Sequence, residues 1–200
     1  MTVSAQVYDA CLDSLGRLVD GLSPEQLETT VPATPRWTVR SVVAHLAGVS
    51  CDNVHGRMDG APSRTWTARH VAERSAVPVA HLIDELHAHR DQLVQLAEAA
   101  EVPAMVWDIS VHLADLHESL GLGVPDPACW EPVLDAARER LLPGDLPPLD
   151  VAPYELFRGM FSRRSQAQLQ AWGNLNGHAA AIGAFGPRED DQPVPGLSAG

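Results

Sequence analysis

The side chains best suited to chemistry lie between Val102 and Gly123, in VPAMVWDISVHLADLHESLGLG. Asp108 and His112 are four residues apart and Asp115 follows three later. On a helix, at 100° per residue, Asp108 and His112 stand one above the other with Asp115 beside them. Such a pair can offer two ligands to one metal ion from a single rigid element. It can equally be an ordinary helix pair or a solvated edge, and for this helix alone that plainer reading weighs more. A second stretch, Trp37 to Met58, shifts the balance by placing His45 on the face of Val42, Val49 and Asp52. One histidine on such a face reads as a core residue. Two helices that each turn a histidine inward beside an acid are harder to dismiss.

The elements that must position these residues are helical. Apolar periodicity predicts helices over Ser4–Leu22, Thr38–Met58, Val77–Ala99, Val102–Gly123, Asp126–Leu142 and Pro153–Trp172, with a short capped turn at Ser23-Pro24-Glu25-Gln26. Gly60 and Pro62 break the pattern before the third helix. Pro143-Gly144 and Pro147-Pro148 mark a linker. No strand pattern, repeat or heptad run appears. The expected class is all-α, a four-helix bundle with additional C-terminal helices. Residues 1–142 would form the bundle, 143–188 a helical extension packed on it, and 189–200 a disordered tail. His89 falls in the stripe of Leu82, Leu86 and Leu93 and reads first as a core histidine, second as a ligand or proton shuttle. His55, His70, His81 and His87 fall off the stripes and are expected in solvent.

Composition removes several function classes. A net charge of −12 argues against a nucleic-acid groove. All 14 basic residues are arginine, so a lysine Schiff base and a P-loop lysine are both excluded. Cys11, Cys51 and Cys129 form no C-x-x-C pair and read as small buried apolar residues. No charged-then-apolar leader and no apolar run near 20 residues is evident. A cytoplasmic protein with small-molecule partners and no membrane partner is expected, with homodimerisation left open.

Two motifs resemble one family. Trp37-Thr38-Val39-Arg40 followed by Val42-Val43-Ala44-His45-Leu46-Ala47-Gly48, and Asp108-x-x-x-His112-x-x-Asp115-Leu116 closing at Leu120-Gly121, are similar to the mycothiol-dependent maleylpyruvate isomerase family, whose fold is the DinB-like metal-binding bundle. Glu155-Leu156-Phe157-Arg158 and Arg163-Arg164-Ser165-x-x-Gln168 resemble the arginine-bearing C-terminal segment of many members. The resemblance implies His45, Asp108 and His112 as ligands of a divalent metal, and mycothiol or a similar thiol as cosubstrate. Ser41 stands where an acidic residue is common in the family, and Asp108 where the isomerase itself uses Glu.

Three ligands leave positions for water or substrate, and imidazole with carboxylate suits zinc first, then nickel, iron or manganese. Asp52 and Asp115 are on the right faces to accept hydrogen bonds from the ligand imidazoles, or are helix-surface carboxylates. Arg163 and Arg164 are candidate catalytic groups and Arg158 a candidate substrate contact, because guanidinium pairs with carboxylate; a solvated basic helix face is the alternative. The leading functional expectation is a metal-dependent thiol S-transferase or isomerase acting on a small electrophile. A non-catalytic metal-containing bundle and a metal-dependent hydrolase are the alternatives.

Overall fold

The stripe of Val7, Cys11, Leu15 and Val19 forms the buried face of α1 (Val3–Asp20), which starts at the Thr2 cap and closes at Gly21. A computed structural model describes residues 1–99, 103–142, 149–173, 175 and 178–196. Among these the regular structure is helical apart from two isolated bridges, Thr30 with Thr38 and Ser165 with Arg188. The Ser23 capping box opens α2 (Pro24–Leu27) as the sequence suggests. Thr38 caps α3 (Val39–His55), which ends three residues before the expected Met58 because Gly56 turns left-handed at φ 67.

The stretch read as a break instead contains α4 (Arg64–Glu73), whose buried residues are Trp66 and His70. With no aliphatic stripe, its periodicity carries no ordinary hydrophobic signal. The single helix expected over Val77–Ala99 divides at His89 into α5 (Val79–Ala88) and α6 (Arg90–Ala99). The helix that carries the Asp108 motif, α7 (Ala104–Ser119), is continuous. A 3-10 turn at Pro127–Cys129 precedes α8 (Glu131–Leu141). The expected helix over Pro153–Trp172 is α9 (Pro153–Met160) and α10 (Gln166–Gln170), separated where Ser162 adopts φ 60.

Four rods make the bundle: α1, α3, the α5–α6 pair and α7. Helix α1 packs on α6 and α7, and α3 packs on α4, α5 and α7. Their shared core includes Leu12, Leu15, Val43, Leu86, Leu93, Ile109 and Leu113. Burying each large aliphatic side chain contributes about 2 kcal/mol, so packing fixes helices whose individual propensities are modest. Outside the bundle, α8 and α9 pack together. The expected linker at Pro143-Gly144 and Pro147-Pro148 lies outside the described residues. The tail expected to be loose after Arg188 is docked as far as Gln192, whose amide donates to Gln168 Oε1 at 3.1 Å and whose carbonyl accepts from Gln168 Nε2 at 2.7 Å. No helix among the described residues is long and apolar enough to cross a membrane.

Candidate metal centre

Packing of α3 against α7 brings His45 to Asp108 and His112, with one ligand atom from each lying within 4.8 Å of the others. His45 Nε2 is 3.3 Å from Asp108 Oδ2, and His112 Nε2 is 3.6 Å from Asp108 Oδ1. Both rings are buried, whereas the Asp108 side chain is 31% exposed and faces a cavity.

The far sides of the rings decide which nitrogens are free. His70 Nε2 lies 2.9 Å from Asp52 Oδ2, an acceptor, so His70 donates there. Burial lowers the His70 pKa against the raising effect of Asp52, which keeps the ring neutral with no second proton. Its Nδ1 therefore accepts, and His45 Nδ1 donates across 3.2 Å. Likewise His112 Nδ1 donates to Asp115 Oδ2 at 2.9 Å. With Nδ1 committed as donor, a neutral ring at either position turns an unprotonated Nε2 toward Asp108.

Burial by itself would raise the Asp108 pKa, but with no metal present the positive charge of His45 and His112 in their protonated forms outweighs it and holds the pKa below the ordinary carboxylate value. Its Oδ2 is buried and accepts no hydrogen bond among the described residues. Two imidazole lone pairs and a carboxylate facing one another without a proton are mutually repulsive, and a divalent cation satisfies all three. The donor set fits a metal.

Each imidazole of the cluster is backed, directly or through His70, by a carboxylate held by arginines. Asp115 is fully buried, receives Arg163 Nε at 3.0 Å and also bonds Arg158. Burial works to raise its pKa, yet Arg163 and Arg158 drive it well below the ordinary value. Asp52 does not meet His45 directly, as the sequence suggests, but through His70. It is paired with Arg57 at 2.9 Å and with Arg69. His70, expected in solvent, is fully buried and stacks edge-on against Trp66 at 4.2 Å. It fits only because residue 48 lacks a side chain: a Cβ on Gly48 would sit 2.3 Å from His70 Cγ. His70 and its partners escaped sequence reasoning, and the signal available was Arg69-His70 opposite Gly48 and Asp52.

The remaining site expectations change. His89 is half-buried at the α5–α6 junction, 2.9 Å from Ser50 Oγ, and is not among the clustered groups. Arg158 and Arg164 are not on a solvated basic face; both are fully buried. Arg158 bonds Glu118 and Asp115, while Arg164 is spent on Glu118, Glu155 and the carbonyl of Arg163. Arg164 is thus a structural partner rather than a catalytic group, because its donors are committed to the chain. Arg163 touches Asp115 and the Phe161 carbonyl, which makes it a positioning residue one bond removed from His112. Of the cysteines, Cys11 and Cys129 are buried as expected and Cys51 is half-buried.

Asp108 forms part of the wall of a cavity of about 480 Å³, otherwise lined mainly by apolar groups such as Val49, Met58, Trp66 and Met105, with Asn53 the one neutral amide. A hollow of this size suits a small molecule.

Residues 8–124 match the family described as mycothiol maleylpyruvate isomerase N-terminal domain. The chain belongs to this family. The matched span holds His45, Asp108 and His112, so the mycothiol maleylpyruvate isomerase domain in this chain includes the whole cluster, whereas α8 to α10 lie beyond it. No significant match was found among curated proteins or among solved structures.

Proposed function

We propose that the protein is a metal-dependent enzyme using mycothiol or a similar small thiol as cosubstrate, acting as an S-transferase or isomerase on a small electrophile. The observation that carries this reading is that Asp108 belongs both to the His45–Asp108–His112 cluster and to the wall of the apolar cavity, so a molecule in the cavity meets the cluster. A divalent ion held by these three residues, zinc by preference, would keep a thiol as thiolate at neutral pH for addition to an electrophilic carbon.

The chain's own groups do the remaining work. Asp115 and His70 accept the Nδ1 protons of His112 and His45, which keeps each Nε2 available. Against burial, Arg163 and Arg158 hold Asp115 ionised, as His70 and Arg69 hold Asp52. Val49, Met58, Trp66 and Met105 exclude water from the reacting groups. Asp108 is the one ionisable side chain in the described wall of the cavity, so the thiol proton leaves to solvent, and when the thiolate adds and opens the electrophile's double bond a proton returns from solvent to the carbon that takes up the electron pair. No protein nucleophile is required.

Metal-loaded protein given mycothiol and a panel of electrophiles should consume free thiol, and the His112→Ala variant should not. Equal rates for both proteins across the panel would refute thiol chemistry at this site. Ester or amide hydrolysis without thiol would replace it with a hydrolase.

A further inference from the structure

A second hollow adjoins the indole of Trp37, and its chemistry is opposite to that of the apolar cavity. It measures about 430 Å³ and is lined in part by Thr34, Arg36, Trp37, Arg64, Thr67 and Arg188. A neighbouring hollow of about 460 Å³ shares Arg36, Trp37, Arg64 and Thr67. Among the described residues no carboxylate lines either one. Three guanidinium groups converge without an acid between them in a chain whose net charge is −12.

Most arginines here are spent on carboxylates: Arg69 on Asp52, Arg74 on Glu85, Arg90 on Asp9 and Asp13, Arg158 and Arg164 on Glu118. Arg36 and Arg64 are different, because among the described residues neither side chain has a hydrogen bond or an ion pair. Arg188 is anchored by the Ala33 carbonyl at 2.9 Å and faces only Asp190, 3.4 Å away and 62% exposed. Its Nε, the atom that faces Asp190, is buried and makes no hydrogen bond among the described residues, and neither does the buried hydroxyl of Thr34. Like charges lining a concave surface raise the local positive potential, and guanidinium forks match oxyanions in pairs.

We propose that this hollow binds a small oxyanion, a carboxylate or phosphate borne on a metabolite, with Arg36 and Arg64 as its principal contacts and Arg188 as the fixed charge behind them. The volume suits a small molecule rather than a macromolecule. The shared wall is Trp37, whose ring lies 4.9 Å from that of His45, so the anion sits one indole away from the metal cluster. The inference goes beyond the proposed activity and requires neither metal nor thiol.

The test is calorimetric titration of the full-length protein with malonate and, separately, inorganic phosphate at constant ionic strength. The proteins compared are wild type, the double variant R36Q/R64Q and, as a charge-matched control, the double variant R17Q/R138Q on the exposed faces of α1 and α8. Both target arginines are exposed, so the double variant should keep the wild-type circular dichroism. Loss of two charge-assisted contacts should weaken binding about tenfold or more in the double variant and leave the control unchanged. Malonate binding alone would assign the site to carboxylates, phosphate binding alone to phosphorylated compounds, and both together to oxyanions generally. No saturable binding of either anion to the wild type, or equal affinity in the double variant, would overturn the proposal. Because no metal or turnover enters, these results are separable from failure of the thiol reading.

Discussion

His70 Nδ1 lies 3.2 Å from His45 Nδ1, and this contact ties α4 to the His45–Asp108–His112 cluster. With Nδ1 of a neutral His45 as donor on one side, a lone pair is left on Nε2 on the other. Asp52, two turns along α3 from His45, acts on it only through this intermediary.

Replacing His70 by Ala should weaken metal binding about 10- to 100-fold without removing any of the three ligands. Competition with a chromophoric chelator measures it. Unchanged affinity would mean that the His45 tautomer is set by something other than His70.

His45→Ala and His112→Ala should each abolish stoichiometric divalent metal while leaving helical circular dichroism. Elemental analysis of purified variants decides the matter, and metal content equal to wild type in both would remove the cluster from consideration.

Gly48→Ala should destabilise the fold by about 1–3 kcal/mol, since the added methyl overlaps the His70 ring and the ring must shift from α3. Denaturant unfolding gives the magnitude. If the cause is the overlap, the double variant Gly48→Ala/His70→Ala should lose less than the sum of the single changes.

Arg158→Met should cost about 3–5 kcal/mol, because Asp115 and Glu118 would keep buried charge with one guanidinium fewer. Urea unfolding supplies the test, and a loss below about 1 kcal/mol, the range of exposed pairs, would contradict the buried network.

Stability of the metal-free protein should fall with acid in two stages. Burial lowers the His70 pKa in the fold, so between that value and the ordinary one of about 6.5 the unfolded chain binds a proton that the native state does not. Stability is therefore full above about pH 6.5 and declines below it. Asp52 and Asp115 are also lowered, by His70 and Arg69 for the first and by Arg163 and Arg158 for the second, in each case against burial. Their contribution is present above the ordinary carboxylate value of about 4 and is lost as pH falls toward the folded value. Unfolding free energies from pH 8 to pH 3 should show both stages, and Asp115→Asn should flatten the lower one.

The all-α class, the Thr38 and Ser23 caps and the inward faces of His45, Asp108 and His112 were legible in the sequence, because helical periodicity and capping are local and depend on residues three or four apart. Local pattern also placed Asp115 beside His112. It could not place Asp52, whose partner His70 comes from a helix with Trp and His as its buried residues. Nor could it tell that His89 ends one helix and precedes another, that Ser162 splits the C-terminal helix, or that Arg158 and Arg164 are buried. Arg158 and Arg164 are buried because they, together with the partly exposed Arg163, meet Asp115, Glu118 and Glu155, across segments about forty residues apart in the case of Arg158 and Glu118. A charge alone in sequence is favoured in water, and only the opposite charges that tertiary packing delivers can offset its desolvation.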